Sequence, residues 1–153
     1  MPYRVGQLSG YKVFNFGFHG YQLKISVVIP TYRRPLTLLQ ALRSLQFQTH
    51  SEFQILTVDN AADPEIQRLV SEFNQTAKIR VRYLAEARTG VHYARNLAAE
   101  NAEGDLLLYT DDDVSFEPGW VEAYAKAFAD HPTMAAAGGP VRPVWEQPPP
   151  QWL

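Results

Sequence analysis

Residues 24–45, KISVVIPTYRRPLTLLQALRSL, place an apolar run directly before a helical pattern. KISVVIP is rich in β-branched residues and ends at Pro30, which is typical of a strand buried on both faces. Pro35 suits the first turn of a helix. The apolar stripe that follows consists of Leu36, Leu39, Leu42 and Leu45, widened by Leu38 and Ala41. This segment predicts the first strand and the first helix of an α/β fold.

Three further strand–helix pairs follow the first. FQILTVDN, IRVRYLA and DLLLYT predict strands, and the alternation in IRVRYLA places that strand near a sheet edge. Pro64, Gly90 and Pro118 mark the starts of three helices. MAAAGG, residues 134–139, is a candidate fifth strand. The alternation predicts a Rossmann-like, mostly parallel sheet with helices on both faces.

The composition limits the class of protein. The chain has 153 residues, 46% of them hydrophobic and 20% charged, with a net charge of -2 and no cysteine. These values suit one compact soluble domain, and they argue against a nucleic-acid partner, a disulfide scaffold and a thiolate metal site. No apolar run approaches the roughly 20 residues that span a bilayer, and the N-terminus lacks the apolar core of a signal peptide. We expect a cytoplasmic protein, and a peripheral association with the inner face of the membrane stays open.

Three segments differ in their patterns. Residues 1–22 form an extension with many aromatic residues, in which alternation at Phe14, Phe16 and Phe18 allows a short strand or a loosely docked segment. Residues 23–140 carry the regular α/β pattern, and residues 141–153 form a proline-rich tail.

Polar residues collect where the predicted strands end. The four strand ends carry Pro30-Thr31-Tyr32-Arg33-Arg34, Asp59-Asn60, Glu86-Ala87-Arg88-Thr89-Gly90 and Asp111-Asp112-Asp113. Ligands of open α/β sheets bind outside the carboxyl ends of the strands. The sequence therefore predicts a polar ligand site at this edge.

The three aspartates favour a divalent cation. Adjacent carboxylates raise one another's proton affinity unless a cation compensates, and Mg²⁺ or Mn²⁺ commonly uses one or two carboxylates together with substrate phosphates. If the chain stays extended past Thr110, Asp111 and Asp113 point to the same side. The alternative is a solvated turn in which Asp113 or Ser115 caps the next helix.

The other strand-end residues allow two interpretations each. Asp59 can bind a ribose or a base edge, or Asp59, Asn60 and Asp63 can form an Asx-turn or a helix cap. The arginines suit a diphosphate, namely Arg33, Arg34, Arg88 and Arg95. For Arg95 the alternative is an ion pair with Glu86 or with one of the aspartates. His92 is interpreted as a surface or packing histidine, because no second histidine lies at metal-ligand spacing.

These segments in this order resemble the family 2 glycosyltransferases, which have the GT-A fold. The matching stretches are SVVIPTYRRP, ILTVDNAADPE and RTGVHYARNLAAENAEGDLLLYTDDDVSFEPGWVE, which lie between Ser26 and about Gly139. The resemblance implies transfer of a sugar from a nucleotide-diphosphate donor to an acceptor, with inversion at the anomeric carbon.

The resemblance also implies roles for individual residues. Pro30, Thr31 and Tyr32 would line the nucleoside pocket, and Asp59 would contact the base. Arg95 would lie near the diphosphate, with Arg34 and Arg88 as further donor-binding residues. Asp111–Asp113 would form a DxD-type motif, with Asp113, and Asp111 beside it, as metal ligands and Asp111 or Asp112 near the ribose.

Two departures and one missing residue qualify the resemblance. Arg88 stands where the family often has Asn, and Ala61-Ala62 stand where Gly-Ser is frequent. The family's catalytic base lies well downstream of the DxD segment, and Glu146 is the only acidic residue after Asp130. We therefore expect the donor-binding part of the enzyme, without the C-terminal acceptor-binding part, and the catalytic base is unknown.

Two other classes of protein compete with an active transferase. One is a truncated or non-catalytic module that binds a nucleotide sugar and a metal. The other is a phosphoryl-accepting signalling domain, which is disfavoured because no lysine follows a predicted strand. The acceptor, whether sugar, lipid or protein, and the oligomeric state are not indicated.

Overall fold

The computed structural model of the chain describes residues 5–8, 11–14 and 23–145. The strands are β1 (Val5–Leu8), β2 (Tyr11–Phe14), β3 (Ile25–Thr31), β4 (Phe53–Asp59), β5 (Val81–Ala85) and β6 (Leu106–Tyr109). The helices are α1 (Pro35–Leu45), α2 (Pro64–Thr76), α3 (Val91–Asn101) and α4 (Trp120–Asp130). Every strand from β3 onward is followed by a helix, as the sequence predicts.

Strands β3 to β6 form one parallel sheet in the order β5-β4-β3-β6. The predicted Rossmann-like fold with helices on both faces is confirmed, and so is the edge position of β5. Thr31 on β3 pairs with Asp59 on β4, which in turn pairs with Ala85 on β5. The carboxyl ends of these strands are therefore level, and the segments that follow them meet at one edge.

The two faces of the sheet bury different kinds of side chain. One face packs on α1, α2 and α4 through large residues such as Leu42, Ile66 and Val121. The other face packs on α3 through Ala94 and Ala98. All seven residues of β3 are buried, which confirms the interpretation of KISVVIP.

Three local predictions are corrected. Leu36 is 75% exposed, because at 3.6 residues per turn the buried face passes through Leu38, Leu42 and Leu45 instead. Helix α4 begins at Trp120, two residues after Pro118, because the Trp120 N–H first closes a turn on the carbonyl of Glu117. Residues 134–139 form neither strand nor helix, and small alanine and glycine side chains offer little to bury in a sheet.

The N-terminal strands β1 and β2 pair antiparallel. The predicted short strand includes Phe14, whereas Phe16 and Phe18 lie outside the described residues. Glu146 and the rest of the proline-rich tail also lie outside them. Among the described residues, no helix combines the length and the apolar character needed to cross a membrane.

Candidate functional site

A cleft of about 420 Å³ lies at the carboxyl edge of the sheet. It is lined by Pro30, Thr31, Tyr32, Arg34, Asn60, Thr89, Gly90, Val91, Asp111, Asp112 and Asp113. Seven of the predicted site residues are therefore brought together around one space: Pro30, Thr31, Tyr32, Arg34 and the three aspartates. Arg95 borders this group through Asp111, whereas Asp59 and Arg88 are not among the lining residues.

The three aspartates take different environments. The chain turns at Asp112 and Asp113 and does not stay extended. Asp112 is only 4% exposed, and its carboxylate accepts hydrogen bonds from the Thr31 hydroxyl at 2.6 Å and from Arg34 Nη1 at 3.4 Å. Asp111 and Asp113 are exposed. The cluster thus offers one buried carboxylate that positions the turn and two that face solvent.

The capping alternative for this cluster is wrong. The N-cap of α4 is Gly119, and no side chain caps the helix. The segment between Asp113 and Gly119 separates the aspartates from the helix, so their carboxylates stay at the cleft.

Two arginines supply positive charge to the cluster. Arg34 Nη1 lies 3.3 Å from Asp113 Oδ2, and Arg95 Nη2 lies 3.2 Å from Asp111 Oδ1. The Arg95 ion pair matches the alternative interpretation from the sequence. Both guanidinium groups are partly exposed, so they contact carboxylates and border the space where an anion could bind. Arg33, in contrast, lies over the Tyr32 ring, 5.3 Å from its centroid.

Asp59 is fully buried and stabilises a loop. Its carboxylate accepts hydrogen bonds from the backbone N–H groups of Ala61 and Asp63 and from the Tyr83 hydroxyl, at 2.9, 2.6 and 2.9 Å. Asp63 in turn caps α2 by accepting from the N–H of Glu65. Burial, followed by the hydrogen bond to Asp59, raises the pKa of Tyr83 to about 12. The Asx-turn and cap interpretation describes both aspartates in the structure.

The Arg88 side chain forms an ion pair with Glu86. Arg88 Nη2 lies 2.6 Å from Glu86 Oε2, and its guanidinium lies over the Tyr93 ring at 4.5 Å. The side-chain and backbone hydrogen bonds from Arg88 lower the pKa of Glu86 to about 2. The two side chains therefore form a fixed pair beside the cleft.

Four lining residues were not among the predicted site residues: Asn60, Thr89, Gly90 and Val91. Asn60 and the Thr89-Gly90 pair lie in the strand-end segments, so their position at the carboxyl edge was the available signal. Asn60 is 6% exposed, and its side chain binds the backbone of residues 86–90. His92 is exposed, and its ring centroid lies 4.1 Å from that of Tyr93, as expected for a surface histidine.

The two exposed aspartates at the cleft suit a cation whose other ligands are phosphate oxygens and water. Across residues 23–145 and the two N-terminal strands, no group of three or more acidic or histidine side chains could hold a metal ion. Asp111 and Asp113 line the same cleft with side chains 61% and 57% exposed. Mg²⁺ and Mn²⁺ accept one or two carboxylates when phosphates and water complete the coordination. Asp111 and Asp113 therefore match the number of carboxylates that such a cation uses.

The acidic turn and the arginines lie at the carboxyl edge of a parallel α/β sheet, which is where open α/β domains bind their ligands. Residues 26–152 match the family Glycosyl transferase family 2, and the chain belongs to this family. The resemblance drawn from the sequence is thereby confirmed.

The chain is similar to several curated relatives. It is 29% identical over 125 residues to the glucosyl-dolichyl phosphate glucuronosyltransferase of Haloferax volcanii, covering 80% of this chain and 40% of that protein. It is 27% identical to the succinoglycan biosynthesis protein ExoM of Rhizobium meliloti, covering 86% of this chain and 43% of that protein. The chain thus spans less than half the length of these relatives.

Solved structures show the same GT-A fold. S. aureus TarS 1-349 in complex with UDP superposes with a TM-score of 0.64 at 25% identity, covering 71% of this chain and 33% of that one. The mannosyltransferase PcManGT from Pyrobaculum calidifontis, in complex with GDP-Man and Mn²⁺, gives a TM-score of 0.62 at 22% identity, covering 72% and 32%. At that identity the second similarity supports the fold alone.

Proposed function

We propose that the cleft binds the nucleotide diphosphate of a sugar donor, and that the chain forms the donor-binding part of an inverting glycosyltransferase. The observation that carries this proposal is the meeting of Arg34 and Arg95 with three aspartates at the carboxyl edge. A diphosphate is an anion that needs guanidinium or metal partners. Arg34 lines the cleft, Arg95 contacts the lining residue Asp111, and the aspartates could hold a metal ion.

Pro30, Thr31 and Tyr32 are proposed to contact the nucleoside. They line the cleft at the carboxyl end of β3, where Tyr32 is 46% exposed and can pack on a ring. The Thr31 hydroxyl already donates to Asp112, so this hydroxyl is proposed to hold the Asp112 carboxylate in place at the cleft. Asp59 and Arg88 are proposed to support the neighbouring loops, since their side chains bind protein groups.

Arg34 and Arg95 are proposed to bind the diphosphate oxygens. Each guanidinium contacts an exposed carboxylate of the cleft, at 3.3 and 3.2 Å. A metal ion on Asp113 and Asp111 would supply positive charge to the leaving diphosphate. Cation binding to these carboxylates would leave the two arginines available to phosphate.

The comparisons support a nucleotide-sugar donor. TarS has been crystallised with UDP, and the Haloferax relative is named a glucuronosyltransferase. We propose the same donor class for this chain. The cytoplasmic location and a contact with the inner face of the membrane stay predictions.

A second candidate is a binding module without transfer activity. Inverting transfer needs a carboxylate to deprotonate the acceptor hydroxyl. In the described part of the chain, each carboxylate that lines the cleft accepts a hydrogen bond from an arginine or from Thr31. This observation favours donor binding over complete catalysis for the cleft as it stands.

Calorimetric titration tests the proposal. UDP, GDP and their sugar conjugates are titrated into the chain with and without Mn²⁺, and the same titrations are made with Asp113→Ala. We expect nucleotide binding that Mn²⁺ strengthens by at least about tenfold, and we expect the substitution to remove that gain.

Asp130→Ala is the matched control, because Asp130 is an exposed carboxylate at the end of α4. It should bind as the wild type does. If Asp113→Ala also binds as the wild type does, the assignment of Asp113 as a metal ligand is wrong. Sugar transfer by this chain alone would exclude the binding-only candidate.

A further inference from the structure

Asn60 directly follows β4, and its backbone and side chain bond to the ends of the two neighbouring strands, β3 and β5. Its N–H donates to the carbonyl of Thr31 at 2.9 Å. Its side-chain Oδ1 accepts from the N–H of Gly90 at 2.8 Å, and its Nδ2 donates to the carbonyls of Glu86 and Arg88 at 3.2 and 2.5 Å. One buried residue therefore ties the end of β3 to the segment that follows β5.

The bonding pattern requires an amide. The carbonyl oxygen of an asparagine accepts and its NH₂ group has two donors, which matches one N–H and two carbonyls. A carboxylate in this place would set a negative oxygen against the carbonyls of Glu86 and Arg88. An apolar side chain would leave three backbone groups without this partner, and buried polar groups left unpaired are costly.

The segment that Asn60 holds is a wall of the cleft. Residues 86–90 form neither helix nor strand, and Thr89 and Gly90 line the cleft. Gly90 has a φ of 140°, a conformation that other residues rarely adopt, and α3 begins directly after it. Within this wall Arg88 bonds to the Glu86 carboxylate, and from outside it Asn60 contributes three hydrogen bonds to the backbone.

We propose that Asn60 is a positioning residue for donor binding: it holds residues 86–90 in the conformation in which Thr89 and Gly90 line the cleft. This inference rests on the proposed nucleotide site. The Asn60 amide bonds to backbone groups of residues 86–90, and through these bonds it positions the wall that the donor contacts.

Asn60→Ala tests the inference, with Asn74→Ala as its matched control. Asn74 also binds backbone groups through its amide, since it accepts from the N–H of Val81 and donates to the carbonyl of Val81. Val81 begins β5, so these bonds lie at the opposite end of the strand from the cleft. We expect Asn60→Ala to weaken binding of UDP or GDP, whichever binds the wild type more tightly, by roughly tenfold or more. Asn74→Ala should stay within about twofold of the wild type.

A second measurement does not depend on nucleotide. The Gly90 N–H donates to Asn60 Oδ1, so we expect this amide proton to exchange slowly with solvent, and its exchange rate in NMR spectra reports whether the bond holds. We expect this rate to rise at least about tenfold in Asn60→Ala and to be unchanged in Asn74→Ala. If Asn60→Ala does not fold, Asn60→Asp is used, which keeps the acceptor for Gly90 and loses both donors.

The outcomes separate the two proposals. Unchanged nucleotide affinity in the Asn60 variant, or an equal loss in the Asn74 variant, would overturn the inference. If neither nucleotide binds the wild type, the proposed function fails, and an unprotected Gly90 amide in the wild type would then reject the positioning role as well.

Discussion

The Tyr83 hydroxyl donates to the buried carboxylate of Asp59, and the ionisation of this hydroxyl can be measured. Desolvation of the half-buried side chain, followed by the hydrogen bond to Asp59 and the repulsion between that carboxylate and an ionised Tyr83, raises the pKa of Tyr83 from an ordinary value of 10 to about 12. The folded state holds the proton more tightly than the unfolded state. The resulting stabilisation is complete below about pH 10 and is lost as the pH rises through about 12.

Absorbance at 295 nm measures this titration. We expect Tyr83 to ionise near pH 12 in the folded protein, and Tyr83→Phe should remove that step from the curve. The same variant should lose less stability than the wild type between about pH 10 and 12. A curve in which all tyrosines ionise near pH 10 while the protein remains folded would contradict the prediction.

At the scale of elements, Gly104 brings the start of β6 against β3. A Cβ at this position would lie 2.6 Å from both the backbone nitrogen and the hydroxyl of Ser26, and 2.9 Å from the carbonyl carbon of Ile25. Backbone atoms of a central strand cannot move aside, so Gly104→Ala should lower the free energy of unfolding by about 1–3 kcal/mol.

Gly119→Ala provides the comparison for that measurement. No atom lies within 4 Å of the position that a Cβ would take at Gly119, so a methyl group enters open space. Urea unfolding should show a loss of less than about 1 kcal/mol for this variant. Equal losses in both variants would mean that the close approach at Ser26 does not limit Gly104.

Much of the element order could be predicted from the sequence, because strand and helix periods are local properties. The parallel sheet and the meeting of strand ends followed from that order. For Asp59 and Arg95 the sequence allowed the interpretation that the structure shows, but it could not choose between the alternatives. The contact of Asp59 with Tyr83, which lies 24 residues further on, depends on a tertiary distance that no local pattern encodes.

At the scale of the whole molecule, donor binding should raise the melting temperature. A ligand that binds only the folded state at about 100 times its dissociation constant stabilises it by about 2.7 kcal/mol. For a domain of this size that corresponds to roughly 5–10 °C. Differential scanning calorimetry with nucleotide and Mn²⁺ should show this rise, and Asp113→Ala should lose the part that depends on Mn²⁺. A melting temperature that the ligand leaves unchanged would argue against a donor site.

Helix α3 rests on the sheet through the methyl groups of Ala94 and Ala98, and Arg95 lies between them in the sequence. The small size of these two side chains determines the distance between the helix axis and strands β3 and β4. That distance in turn affects the distance between Arg95 and Asp111. A larger residue at either alanine would lift the helix away from the sheet and carry the guanidinium with it. One of the arginine contacts of the acidic turn, that of Arg95 with Asp111, thus depends on the buried side of the helix, where methyl groups lie against the sheet.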